Sequence, residues 1–164
     1  MTHTNNQLKF IGRHKENDVF YFIPGVHGFD SLPDKNWICL GIANSDFNKG
    51  YFEEFVIYSA SSGLLEFIGQ GKYGELLHDW FDETIVEYEY QEEVKTDIMT
   101  LWRNDQTNDL ADSFWGCFYA NVLPENVQQS QIVVVCMSFD GQDYSNTIQI
   151  LLEKINNGWI PPDE

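Results

Sequence analysis

Along roughly the first seventy residues, apolar positions come in short runs separated by turn residues, the pattern of strands rather than of long helices. Residues 8–13 and 19–23 flank a polar turn at 15–18 and predict a hairpin. Pro24, Gly25, Gly28 and Pro33 then break the chain into a loop. Residues 37–43 and 51–59 are apolar, β-branched and aromatic, with Asn48-Lys49-Gly50 as the turn between them. Ser61-Ser62-Gly63 turns into a further run over 64–68. The expectation is an antiparallel meander of about five strands.

After Gly74 the period changes. Leu76, Leu77, Trp80 and Phe81 fall at helical spacing and leave Glu75, His78, Asp79, Asp82 and Glu83 on the other face. Over 84–90 two readings stand side by side. Glu87 and Glu89 alternate with Val86, Tyr88 and Tyr90 as in a half-exposed strand, whereas Leu77, Phe81, Ile85 and Tyr88 would continue the helix. The β-branched run Thr84-Ile85-Val86 favours a strand or extended link. Val94, Ile98, Leu101 and Trp102 then predict a second helix.

A third helix starts at Asn108 or Asp109, with Leu110, Phe114, Trp115, Phe118, Tyr119 and Val122 on its apolar side, and Pro124 bars its continuation. Asp109 and Asp112 sit in its first turn, where the helix dipole favours a carboxylate. Residues 131–139 read as a strand buried on both faces. Asp143 caps a last helix that turns Tyr144, Ile148, Leu151, Leu152 and Ile155 inward, and Asn157-Gly158 and Pro161-Pro162 end it. The fold class that follows is α+β: a single domain over 1–164, an antiparallel sheet with three to four helices packed on it.

Charge changes the picture of what such a domain does. The chain of 164 residues carries a formal charge of −17, and its nine Lys and Arg are too few to track a phosphate backbone. Direct binding to nucleic acid or to an anionic membrane is therefore not expected, and a basic partner is. Cys39, Cys117 and Cys136 lie far apart inside apolar runs, as reduced buried thiols do. Residues 1–6 are polar and lack the apolar stretch of a secretory signal, and the unbroken apolar run 132–137 is far too short to span a bilayer. The expected location is the cytoplasm.

Candidate chemistry is sparse. No Gly-x-Ser-x-Gly elbow occurs, and thiols within apolar runs are inert. His3, His14, His27 and His78 are scattered singly, without the close spacing of a zinc site. Asp140-Gly141-Gln142-Asp143 resembles the start of a calcium loop but lacks its closing ligand, so a turn between strand and helix is the better reading. Gly69, Gly71 and Gly74 resemble a phosphate loop only superficially, since no Gly-Lys-Ser/Thr follows and Glu75 and Asp79 would repel a phosphate. The adjacent acids Glu53-Glu54, Asp82-Glu83 and Glu92-Glu93 point to different faces and make no dyad. No catalytic residue, metal site or cofactor is expected, and no enzymatic activity.

The informative feature is where the acids sit. From Glu75 to Asp112 there are twelve Asp and Glu against Lys95 and Arg103 alone. Tyr88, Tyr90 and Trp102 lie among them, and aromatic anchors distinguish a docking surface from a merely solvated one. The partner-binding residues this predicts are Glu75, Asp79, Asp82, Glu83, Glu87, Tyr88, Glu89, Tyr90, Glu92, Glu93 and Asp97.

In size, charge, lack of motifs and α+β layout the chain resembles the bacterial immunity proteins of polymorphic toxins, including those of contact-dependent growth inhibition systems. Glu75, Asp79, Asp82, Glu83, Glu87, Glu89, Glu92, Glu93 and Asp97 carry that resemblance. It implies an inhibitor of a cognate basic toxin domain, a nuclease by preference, whose cleft is built for a polyanion. Two other readings stay open: a nucleic-acid mimic acting on a DNA-binding host enzyme, and a small hydrolase or binding module assembled from His27, His78 and scattered acids.

Overall fold

The structure, a computed structural model, describes residues 8–23, 28–103 and 109–162. The sequence readings at residues 1–6, including His3, and at Pro24, Gly25, His27 and Asn108 fall outside the described residues.

The chain folds as strands β1 (Leu8–His14), β2 (Asn17–Phe22) and β3 (Trp37–Ile42), helix α1 (Lys49–Ala60), strand β4 (Leu64–Gln70) and helix α2 (Gly74–Glu92). Strand β5 (Met99–Arg103), helix α3 (Asp109–Tyr119), a short 3₁₀ turn (Gln129–Gln131), strand β6 (Val133–Ser138) and helix α4 (Ser145–Asn156) complete it. It is an α+β domain, as the sequence predicts, but the sheet is not a meander. Six strands lie in the order β1-β2-β6-β3-β4-β5, and only the β1–β2 hairpin is antiparallel. The pairs β2–β6, β6–β3, β3–β4 and β4–β5 all run parallel.

Parallel neighbours need a crossover, and that requirement decides three segments whose sequence suggests something else. Residues 51–59, expected as a strand, form α1. Their buried side chains Phe52, Phe55, Val56 and Ser59 recur at helical intervals on one side. Asn48, expected in a hairpin turn, is the N-cap: its side chain accepts from the Tyr51 N–H at 2.8 Å. Replacing Asn48 by Ala is expected to lower stability by about 1 kcal/mol, read as a shift of the urea midpoint at constant slope.

Residues 84–90, expected as a strand or link, continue α2, with Leu77, Phe81 and Ile85 buried along it. Residues 94–102, expected as a helix, instead contain β5, which completes the β4–α2–β5 crossover. The spacing of Val94, Ile98, Leu101 and Trp102 fits a helix, but α2 has already ended in the left-handed residue Glu93 (φ 54°). The hairpin, the strands at 37–43, 64–68 and 131–139, and the helices α3 and α4 stand where the sequence puts them.

Both faces of the sheet are covered. Along β3, Ile38, Leu40 and Ile42 enter one core with Phe114, Cys117 and Phe118 of α3 and Ile148, Leu152 and Ile155 of α4. The alternate positions Trp37 and Cys39 enter the other with Phe52, Phe55, Leu77 and Phe81 of α1 and α2. In that second core Phe67 and Phe81 stack with centroids 4.7 Å apart. Gly69 near the end of β4 and Gly74 at the start of α2 serve close packing. A Cβ on Gly69 would lie 2.4 Å from the Gly74 carbonyl, and one on Gly74 would lie 2.5 Å from that of Arg103. They bring the start of α2 against β4 and β5, which accounts for them without a phosphate.

Candidate functional site

Helix α2 carries most of the acidic residues singled out in the sequence. Its inner side is held by Leu77, Phe81 and Ile85 against β4, β5 and α1. Because successive residues turn by about 100°, Glu75, Asp79, Asp82, Glu83 and Glu87 fall within about 140° of arc on the opposite side, over a length of about 18 Å. Val86 and Tyr90 lie on the same strip and are 65% and 86% exposed. The strip is therefore a row of carboxylates with an apolar group and an aromatic ring at its C-terminal end, on a helix fixed by packing.

The predicted residues do not all share one role. Asp82 accepts from the Thr100 hydroxyl at 2.7 Å and so also ties α2 to β5. Glu89 accepts from the Thr96 N–H at 2.6 Å and closes the turn after the helix. The Glu87 carboxylate receives a hydrogen bond from Gln91 at 3.2 Å. Tyr88 is half-buried and points with Phe81 and Ile85 to the inner side, away from the carboxylate row. Glu92 and Glu93 are exposed at the C-terminal end, and Asp97 lies exposed in the link to β5. Trp102, on the edge strand β5, is half-buried. The continuous helix thus brings Glu75, Asp79, Asp82, Glu83, Glu87 and Tyr90 together, turns Tyr88 inward and leaves the rest around the helix end.

This arrangement works against the helix that carries it. Glu75, Asp79, Glu83 and Glu87 stand four residues apart in an unbroken ladder, and each like-charged i,i+4 pair costs about 0.2–0.5 kcal/mol. The last turn has no basic residue, while Glu89 and Glu92 face the negative end of the macrodipole. At the other end His78 lies against the row, with its ring nitrogens 3.1 Å from Asp79 and 3.4 Å from Asp82.

Two acidic residues outside this face have structural explanations of a different kind. The Asp140 carboxylate, after β6, accepts from the Asn44 N–H and the Tyr144 hydroxyl, each at 2.7 Å, and from the Ser138 hydroxyl at 2.7 Å. Burial alone would raise its pKa, but these donors and the Gln142 N–H outweigh it, so the carboxyl sits below its ordinary range. It binds the loop after β3 to the loop after β6, a turn as the sequence suggests. Asp143 accepts from the Ser145 N–H at 2.9 Å, a turn one residue ahead of the helix; the N-cap position expected for it is held by Tyr144.

Glu66 is the residue that sequence reasoning passes over. It is 2% exposed in the middle of β4, and burial, only partly offset by the Val122 N–H, pushes its carboxyl up to about 7. An acid inside the run Leu64-Leu65-Glu66-Phe67-Ile68 is the signal that could have marked it. Arg103, Asp112 and Ser113 line the same cavity, but its volume is about 30 Å³, room for a water molecule and not for a substrate. The three cysteines are buried, and burial drives their thiols well above their ordinary range. His14 is bound on both ring nitrogens, to Asn156 at 2.7 Å and Tyr119 at 2.6 Å. Among the described residues no group of three or more His, Cys, Asp and Glu is placed to hold a metal ion, and no helix is long and apolar enough to cross a membrane.

No curated protein and no solved structure matches the chain at a significant level. Residues 25–155 match one protein family, described as a domain of unknown function (DUF7684). That span takes in the sheet from β3 onward together with α1 to α3 and nearly all of α4, including the acidic face of α2; by it, the chain belongs to the DUF7684 family.

Proposed function

We propose that this protein is a non-enzymatic cytoplasmic inhibitor, an immunity protein that docks the outer face of α2 on a basic toxin domain, a nuclease by preference. The observation that carries the reading is the carboxylate ladder with Val86 and Tyr90 exposed at its C-terminal end. Solubility needs negative charge but not its concentration on one strip of a helix that the strip itself weakens. A nuclease cleft is lined with cations for a polyanion, and a rigid row of carboxylates meets those cations in place of phosphates. Tyr90 and Val86 supply apolar contact at one end of the row, while the carboxylates steer the approach and reject partners with the wrong charge pattern.

The partner to test is a basic toxic domain encoded beside this chain. Stopped-flow mixing of the two proteins is expected to show an association rate that falls by at least tenfold as salt rises from about 50 to about 500 mM, because screening shortens the reach of the field. Dissociation should change much less. A salt-independent association rate excludes electrostatic docking by α2.

A further inference from the structure

The end of α4 holds one tryptophan in a fixed place. Gly158 takes φ 90°, its N–H donates to the Ile155 carbonyl at 3.0 Å, and the Trp159 N–H donates to the Lys154 carbonyl at 3.0 Å. These two bonds form a Schellman closure, which folds the residue after the glycine back over the last turn. Trp159 thereby becomes one wall of a cleft of about 230 Å³. The facing wall is Trp115 stacked on Tyr119, their centroids 4.8 Å apart, and the Tyr119 hydroxyl is anchored on His14. Ile155 and Gly158 line the space between.

Each aromatic wall carries a lysine. Lys15 Nζ lies 5.1 Å from the Tyr119 ring centre, and Lys154 Nζ lies 5.1 Å from that of Trp159. Among the described residues neither lysine forms an ion pair. In a chain with nine basic residues against 26 acids, two ammonium groups rest on the rings that wall this cleft.

We propose that this cleft binds a small planar aromatic carboxylate, independently of the α2 face. The ring enters between the Trp115–Tyr119 stack and Trp159, and its carboxylate meets the ammonium groups of Lys15 and Lys154. A cationic ring is repelled by the same lysines, and a neutral one gains the apolar contact alone. The cleft is smaller than the usual pocket for drug-sized ligands, which limits the occupant to one or two fused rings.

The probe is 2-naphthoate, compared with neutral 2-naphthamide and cationic 2-naphthylmethylammonium, read by the indole N–H signals of the full chain in NMR titrations. Naphthoate is expected to bind with a dissociation constant of about 1 mM, from about 0.3 kcal/mol per heavy atom. It should move the Trp115 and Trp159 signals and leave that of buried Trp37 in place. The amide should bind at least about fivefold more weakly, and the cation should not bind. Lys15→Gln with Lys154→Gln should reduce naphthoate to the level of the amide, and Trp159→Ala should weaken it by about tenfold. The site is refuted if naphthoate moves neither tryptophan, if the amide binds equally well, or if the lysine double variant, surface substitutions that leave the core intact, keeps its preference for the anion.

Discussion

Asp79→Lys combined with Glu87→Lys is expected to make the domain more stable while it destroys inhibition. Wild-type α2 has three consecutive repulsive i,i+4 pairs: Glu75–Asp79, Asp79–Glu83 and Glu83–Glu87. The double variant converts all three to attractive pairs, and each conversion is worth about 0.4–1 kcal/mol. A lysine at position 87 also lies nearer the negative end of the helix dipole than the glutamate it replaces. Asp79 and Glu87 are exposed; the variant gives up the surface contacts of His78 with Asp79 and of Gln91 with Glu87 but leaves the Thr100 hydrogen bond to Asp82 untouched, so no buried contact opposes the gain. A stabilisation of about 1–3 kcal/mol should raise the melting temperature by several degrees.

Binding should move the other way. Reversing two charges in the middle of the docking strip sets ammonium groups against the cations of the partner, and an affinity loss of at least about 100-fold is expected, since like-charge contacts across an interface cost several kcal/mol. The two readouts together separate function from bland solubility. Calorimetry should show a higher melting temperature, and co-expression with the toxin should show lost protection. If the stabilised variant still protects, α2 is not the docking face; if it melts lower, the ladder is not the strain that its spacing implies.

Glu66→Gln is expected to stabilise the protein above neutral pH and to do nothing in mild acid. In the folded state the Glu66 carboxyl is raised from 4.5 to about 7 by burial in β4. Between those two values the folded protein holds a proton that the unfolded chain releases, so folding stability falls as pH rises through this window. Above it the full penalty is present, on the order of 3 kcal/mol. Below it Glu66 is protonated in both states and the penalty vanishes. Glutamine keeps an oxygen to accept from the Val122 N–H and never ionises. Urea midpoints for wild type and variant should therefore diverge as pH rises from about 4.5 to about 8, with the variant ahead by about 2–3 kcal/mol at the upper end. A difference that stays constant over that range would show that Glu66 is not a buried titrating acid.

The local pattern was enough to identify β1 and β2, β3, β4, β6, α3 and α4, because each has a clear period and its own punctuation. Lys15 and Glu16 turn the hairpin, within the turn expected at 15–18, Pro124 follows the stretch after α3, and Asn157-Gly158 ends α4. It failed where composition and partner disagreed. Phe52, Phe55, Val56 and Ile57 have the residue types of a strand, yet their buried members lie at helical intervals. Val94 to Trp102 has the spacing of a helix, yet from Met99 on it becomes an edge strand because β4 offers it an open parallel neighbour.

The acidic face was legible as a cluster and, up to Glu83, as one side of a helix. Its extension through Glu87 and Tyr90 was not, since Thr84-Ile85-Val86 favours extended backbone in isolation. Packing of Phe81 and Ile85 on the sheet overrides that preference and carries the helix on to Glu92. The aromatic cleft was invisible for another reason: Lys15, Trp115, Tyr119 and Trp159 are distant in sequence and meet only when β1, α3 and α4 cover the same side of the sheet.

By itself, the sequence determined the charge, most of the elements and the identity of the acids on α2, because these follow from residue type and short-range period. Only the tertiary structure decided which strands pair, that the sheet runs mostly parallel, and that one face of α2 is left open while Glu66 is shut inside. Pairing and burial are settled by contacts between distant segments, where the area removed from water outweighs the preferences of any single stretch.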